Sequence, residues 1–583
     1  MALTSTQFQA WLEDSNAKRC MLVEVVVNIA GIETTLYLSN KNYVTGPAET
    51  PANITYLPFI QNSLAFTQAI PIDGSASLSY GDIAIDNTNG DRDSWLNYIW
   101  ANRQISIYIG DITFARTDFT KIYSGYVSDI ASSDRNTINI SIRDLLQKLN
   151  TPITSTLIGG TSQNKEQLRP LVFGEVHNIT PVLFDAANLI YMVHNGPIES
   201  IIEVRDNGVP LVLGVSYTVN LTSGTFTLLR APIGTITCSV QGERSTINPI
   251  TGNVLTGNYT TTTVSWTRAT TTATVTHTAH GMLTGATIYI TSSSDLAAVP
   301  SGVYTITVTN SNTYTIVVPN AGSNAGTVVI STYTNTVARL IQIIVSKYGT
   351  IVLNSSDMDI SAINTFDSNN QAPVGIYVTS NTNVINVCQD LASAVGAQFT
   401  SNRNGLVTIL KIDTPSAVGQ TKYITDTDIV FGSLTIDQKI PIQGAIKLGY
   451  CQNWTIQNTL LTGIPEAHKT MFAMEYLTAT VKDSAILTQY NLSNEPEIKN
   501  TSMVSNSGTI PYVTNEANRL LSLWKVPRFV YRMECTAKFL NISLGEMVSL
   551  THYRFGLSGS KYGQVISIST NWDTGRVNLG ILV

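Results

Sequence analysis

Gln104-Ile105-Ser106-Ile107-Tyr108-Ile109-Gly110 and Thr137-Ile138-Asn139-Ile140-Ser141-Ile142 put isoleucine at every second position. Side chains of a strand alternate between the two faces of its sheet, so this period reads as strands with one buried and one wetter face. Working outward, Met21–Ile29 is a long apolar run interrupted by Glu24 and Asn28, with Thr35–Ser39 as its hairpin partner across Ala30-Gly31. Before it, Phe8, Trp11 and Leu12 recur at i, i+3, i+4, which predicts a short helix from Thr4 to about Asp14. A short helix over Arg143–Leu149 closes this first unit.

From Ile153 the reading is again of strands. Segments of Ile201–Val240 are punctuated by the turn residues Asp206-Asn207-Gly208 and Ser223-Gly224. A Gly/Asn/Thr linker spans Ser245 to Thr263. Val264 to Ser331 is then an all-β block almost without charge, with a hairpin at Asn310-Ser311-Asn312. Helical periodicity follows in Val337, Leu340, Ile341, Ile344, Val345 and Tyr348, with Asn335 as cap and Gly349 as stop. It recurs in Val384, Val387, Cys388, Leu391 and Val395, ending at Gly396. A hairpin at Ala397–Ser401 and Gly405–Lys411 comes next. The last unit alternates strands (Ala445–Tyr450, Arg532–Phe539, Met547–Thr551, Gly563–Ile568, Arg576–Ile581) with a helix over Asn515–Lys525. The fold class is mainly β with minor α, in several barrel-like or sandwich-like units. The expected division is 1–150, 151–250, an inserted module 262–332, 333–430 and 431–583.

Composition agrees with that class. Of the 583 residues, 43% are hydrophobic and 13% charged, about half the usual charged share. Ser, Thr and Asn supply the polarity, which suits pleated sheets better than long solvated helices. Net charge is −6, and no Lys/Arg run is denser than Lys18-Arg19, which argues against phosphate-backbone binding. The five cysteines, Cys20, Cys238, Cys388, Cys451 and Cys535, are dispersed and form no CxxC, so neither a disulfide framework nor a zinc site is expected. The start of the chain does not read as a signal peptide, and no stretch of about 18 apolar residues suggests a transmembrane helix.

Three patterns carry potential chemistry. Asp82, Asp86, Asn87, Thr88, Asn89, Gly90, Asp91 and Asp93 present oxygens as a calcium loop would, but lack the closing bidentate Glu. A turn followed by a helix capped by Asp93 or Ser94 explains them better, with Trp95, Leu96, Ile99 and Trp100 as its stripe. His277 and His280 share a spacing that suits metal on a helix, yet their Thr/Gly surroundings indicate a strand end. Gly159-Gly160 lacks the Lys-Ser/Thr of a phosphate loop. No G-x-S-x-G or H-E-x-x-H occurs. No catalytic residue, cofactor or metal is assigned.

Several stretches together resemble bacteriophage tail-tip and baseplate hub proteins. They are Arg19–Val25, Thr35–Ser39, Ile83–Asn87 with Asp91–Leu96, Arg169–Gly174, Tyr217–Val219, Thr336–Gly349, Gly375–Val378, Asn383–Gly396, Asn402–Gly405, Leu544–Leu550 and Gly563–Ile566. The block at 264–331 resembles a small β-module inserted in phage tail proteins, through His280–Gly285, Gly302–Ile306 and Asn312–Ile316. The resemblance implies a structural protein of the virion, assembled in the host bacterial cytoplasm. It implies a ring, usually a homotrimer, joining the tail tube to tip proteins. Expected partners are distal tail or tube, tape-measure, tip and fibre proteins. The chain shows no appended fibre or peptidase segment, so receptor contact would fall to other proteins. Two alternatives stand beside it: a carbohydrate- or receptor-binding protein, with Trp454, Trp524 and Trp572 as platform candidates, and a cell-wall hydrolase.

Overall fold

The computed structural model describes residues 3–61, 65–72, 77–160, 163–243, 259–278, 280, 284, 287–300, 302–333, 335–461, 463–506, 511–572 and 574–583. The chain is mainly β, with seven α-helices among the described residues. The isoleucine strands lie side by side in a six-stranded antiparallel sheet, ordered Ile32–Ser39, Arg19–Ile29, Gln104–Asp111, Thr120–Asp134, Thr137–Arg143 and Ile83–Asp86. The register sets Met21, Val23 and Val25 against Ile109, Ile107 and Ile105, all fully buried. The other face of the Arg19–Ile29 strand is covered too, because Cys20 and Leu22 pack with Tyr43, Tyr56 and Phe119. Burial on both faces is why that strand reads as an apolar run while Thr137–Arg143 alternates.

The Ser5–Glu13 helix is as expected: Thr4 and Gln7 form a capping box, and Phe8, Trp11 and Leu12 are buried. The stripe at Trp95–Trp100 is not a helix. Asp93–Asn97 forms a single 3-10 turn, so Trp95 and Trp100 turn inward while Leu96 and Ile99 stay exposed. No side chain caps that turn. Arg143–Leu149 likewise shortens to a 3-10 helix, Leu145–Leu149. At the Val337–Lys347 helix the cap position is Thr336, not Asn335, whose side chain donates instead to the Val374 carbonyl. The last helix starts earlier, at Tyr512, and the strand expected at Arg532–Phe539 is Arg528–Cys535. The helices Ile360–Asn369, Glu466–Ala473 and Ser484–Gln489 carry too little apolar periodicity to be read in sequence.

Two pairings tie distant segments together. Leu171–Ile179 bonds to Ile236–Glu243 and, in Leu171–Gly174, to Gly375–Val378, so one sheet is built from both sides of the all-β block. Ala65–Ala69 leaves the first unit and pairs with Ser567–Asn571 in the C-terminal eight-stranded sheet. One hydrophobic cluster accordingly runs from Phe8 through the three central helices to Leu582.

The all-β block forms a seven-stranded sheet with its own core, including Trp266, Ile288, Tyr314 and Ile330. Its first strand, Tyr259–Arg268, pairs antiparallel with its last, Asn324–Tyr333, and Tyr259 lies opposite Tyr333. Of the expected linker, 245–258 lies outside the described residues, as do 281–283 and 285 of the module's first signature, whereas 259–263 is strand. Paired residues in such a ladder sit about 5 Å apart, so entry and exit are adjacent. Replacing 260–332 by a short Gly/Ser linker is expected to leave a soluble chain whose urea midpoint is within about 10–15% of the parent's. Insoluble protein, or a large drop in the midpoint, would show the module to be part of the main core.

Candidate functional site

The candidate loops of the sequence resolve into internal scaffolding. The Asp86 carboxylate accepts from the Thr88 amide and hydroxyl and from Gln61. Those Thr88 bonds hold it below the usual carboxylate range. Asp93 accepts from Asn87 Nδ2. Arg92 donates to the Asp86 carbonyl and lays its guanidinium over Phe59, 3.4 Å from the ring centre. The local cation is thus a side chain, and the turn is closed by its own hydrogen bonds. His277 ends a strand, with its amide bonded to the Asn312 carbonyl, and the two imidazoles lie 6.0 Å apart beside Tyr314. Among the described residues no group of three or more His, Cys, Asp or Glu is placed to hold a metal. Gly159 and Gly160 both have φ of 72°, and the next element among the described residues is the strand Leu171–Ile179, not a helix. Trp524 and Trp572 are buried, and Trp454 is half-buried edge-on to Tyr377, so none of the three is a free platform. The cysteine thiols are free, and burial pushes Cys20 and Cys451 up to about 11.

The structure instead gathers three buried polar clusters with no motif in the sequence. In the first sheet, Arg116 binds Glu24 at 2.6 Å and the Tyr56 hydroxyl at 3.0 Å, with its guanidinium 3.8 Å over Tyr108. On the last helix, Arg519 holds Glu516 through two nitrogens at 2.9 and 2.7 Å and reaches Asp413 at 2.9 Å. The third cluster stands at the root of the module. Val172 N–H donates to His194 Nδ1 at 2.9 Å, so the ring proton is on Nε2 and is donated to Glu243 at 2.8 Å. Lys347 and the Tyr348 hydroxyl bind the same carboxylate. Burial by itself would raise Glu243. The bond from His194 and the charge of Lys347 outweigh it and hold the carboxyl below the usual range. Glu243 ends the strand before the module, and Lys347 ends the helix after it. An acidic residue closing an apolar strand was the one available signal, but its partners lie 49 and 104 residues away.

The open surface lies on the C-terminal sheet. Its order is Gln420–Ile424, Met547–Leu550, Lys561–Asn571, Arg576–Leu582, Arg528–Cys535 and Thr435–Ile440, so the first and last strands are edges. Thr435 to Lys439 are exposed one after another, on both faces of the strand. Around the two edges stand Val418 at 83% exposure, Phe431 at 96%, Tyr423 and Ile436. Tyr423 and Tyr562 flank the small, buried Ser549 in register, which forms an aromatic shelf across three strands. An edge strand presents unpaired backbone donors and acceptors, and apolar side chains beside it add an unmet burial energy.

No family model matches the chain, and no curated protein matches it. Among solved structures, similar chains include prophage tail proteins. The 43 kDa tail protein of prophage MuSo2 from Shewanella oneidensis is 10% identical, over 96% of this chain and 98% of that one, with a TM-score of 0.31. Prophage tail protein gp18 of Listeria monocytogenes EGD-e is 11% identical over 56% of this chain and 87% of that one, with a TM-score of 0.25. A chain of a native gene transfer agent virion is 10% identical over 72% and 85%, with a TM-score of 0.32. All three scores are low, and none of these chains lends its partners to this one.

The Glu243 cluster makes a pH-dependent prediction. A carboxyl depressed by folding contributes stability above the unfolded pKa, about 4.3 for Glu, and that contribution is lost as pH falls through the folded value. Glu243→Gln weakens the bonds from His194, Tyr348 and Lys347 to the carboxylate, while Lys347, 46% exposed, can be rehydrated, so a cost of about 1–3 kcal/mol is expected near neutral pH. In urea melts the gap between variant and parent should narrow toward about pH 3, as the parent's carboxyl protonates. A gap that stays constant with pH would refute the ionised role of Glu243.

Proposed function

We propose that this chain is a structural component of a bacteriophage tail, the hub of a tail tip or baseplate that joins the tail tube to tip proteins. The observation that carries the reading is the pair of open edges on the C-terminal sheet, with Phe431, Val418, Tyr423 and Ile436 free beside them. A chain with few charges and an uncovered, aromatic-edged sheet is suited to burying a large obligate interface. The ordered set of hub-like segments in the sequence supports the same role. In this reading the copies form a homotrimeric ring within the virion, assembled in the host cytoplasm. Its neighbours are tube or distal tail, tape-measure and tip or fibre proteins. The module, with its separate core, sits on the outside. The role is mechanical: the carboxylates Glu24, Glu243 and Glu516 are each engaged by a cation within the chain.

A symmetry-resolved electron-microscopy map of the tail with this chain labelled tests the role. Three copies around the tube axis are expected. One copy, or copies confined to peripheral fibres, would overturn the hub assignment.

The interface has its own test. Phe431→Asp with Ile436→Asp is expected to leave the isolated chain's stability within about 0.5 kcal/mol, since both side chains face solvent. The same pair should abolish incorporation into tails in a complementation assay. Normal incorporation would remove these edges from the assembly surface.

A further inference from the structure

Lys411, Asn370 and Glu516 come from three different elements and meet at one point. Lys411 ends the strand Val407–Lys411, Asn370 follows the helix Ile360–Asn369, and Glu516 lies on the helix Tyr512–Trp524. Lys411 Nζ is 2.8 Å from Asn370 Oδ1 and 3.0 Å from Glu516 Oε2. The Asn370 amide is oriented from its other end, where Nδ2 donates to the Phe366 carbonyl at 2.9 Å. With a C=O bond of about 1.23 Å, the Asn370 carbonyl carbon is no more than about 4 Å from Nζ. The side chains of Lys411 and Glu516 are 10% and 9% exposed. The amine is thus held in hydrogen-bond contact with both the amide and the carboxylate, in a largely buried setting.

We propose that Lys411 and Asn370 join in an intramolecular isopeptide bond, with Glu516 as the proton carrier. Glu516 takes a proton from the Lys411 ammonium, and the freed lone pair forms the Nζ–Cγ bond. The carbonyl electrons move to Oδ1. Glu516 returns its proton to Nδ2, the carbonyl reforms, and the Cγ–Nδ2 bond breaks. Ammonia leaves and carries off the second Nζ proton as ammonium. An ammonium and a primary amide become a secondary amide and an ammonium, so no oxidant, cofactor or energy source is required. Each environment suits its step. Burial, its largest influence, pushes the Lys411 amine below the usual lysine range, which favours the nucleophilic form. Arg519, bound to Glu516 through two nitrogens, fixes the position of that carboxylate beside the amine. A cleft of about 280 Å³, lined by Asn370, Lys411, Glu516 and Arg519, gives ammonia a way out.

The bond would tie the central helical region to the hairpin that carries Lys411 against the C-terminal helix. A tail component under axial load gains from a cross-link that does not depend on redox conditions, unlike a disulfide.

Intact-mass spectrometry of the purified full-length chain, denatured, decides the matter. The expected result is a loss of about 17 Da, one ammonia, relative to the sequence. Tandem spectra should show a branched peptide joining residues 370 and 411. Lys411→Arg and Asn370→Ala should each restore the full sequence mass, and Glu516→Gln should leave the bond unformed. An unmodified mass in the parent protein overturns the proposal. So does an equal loss mapped to a cyclised Asn-Gly site such as Asn404-Gly405. A bond that forms fully in Glu516→Gln overturns the role given to Glu516.

Discussion

The pairing of Ala65–Ala69 with Ser567–Asn571 joins residues some 500 positions apart in one sheet, and the rest of the molecule depends on that closure. Without it the Lys561–Asn571 strand would lose a neighbour, and Phe66, buried in the main core, would lose its place. Closing so long a loop carries an entropic cost that grows only slowly with length, so a few strand bonds and apolar side chains suffice to hold it. Contacts of such separation also slow folding, because much of the chain is ordered before they form. The first sheet, the central helices and the last sheet therefore behave as one body around a shared core.

The second sheet shows the same principle on a smaller scale. Leu171–Gly174 pairs with Gly375–Val378 across the whole inserted module, and Gly174 and Gly375 face each other where the backbones come closest. A Cβ on Gly375 would sit 1.8 Å from the Glu175 carbonyl oxygen, so the pairing admits no larger residue there. The His194–Glu243–Lys347 cluster lies beside this junction and fixes the strand entering the module to the helix leaving it. The module's own ten-residue pairing of first and last strands then lets it stand on that root without sharing the main core.

Several ion pairs with buried partners are placed where elements from different segments meet, although Arg519–Glu516 lies along one helix. Arg116 bridges Glu24 and Tyr56, and Arg519 and Lys411 bridge the last helix and the central hairpin. Such pairs add little net stability compared with apolar packing, but breaking one leaves an uncompensated charge, so they penalise misdocked arrangements of the same strands. In a low-charge chain of many similar β-strands, that penalty selects among registers and partners. The uncovered strands Gln420–Ile424 and Thr435–Ile440 are the counterpart, pairing capacity left outside the monomer.

Local patterns in the sequence determined the elements whose burial is regular. Alternating isoleucines marked the strands at 104–111 and 137–143, and the period of Val337 to Val345 marked its helix, because a single buried face leaves a readable repeat. Composition likewise determined the β-rich class, and the two-fold turn chemistry of Asn310-Ser311-Asn312 determined its hairpin. Tertiary contacts decided the rest. Trp95 and Trp100 are buried from a 3-10 turn and the bend after it, not from one helix face, so their spacing misled. Asn335 is not the cap because the helix starts one residue later, with Thr336 at the cap position, and the Asn335 amide is turned toward Val374, donating to its carbonyl. The polar clusters had no sequence signature at all: Glu243, His194 and Lys347, or Lys411, Asn370 and Glu516, become neighbours only when separate elements dock, and no local spacing encodes that meeting.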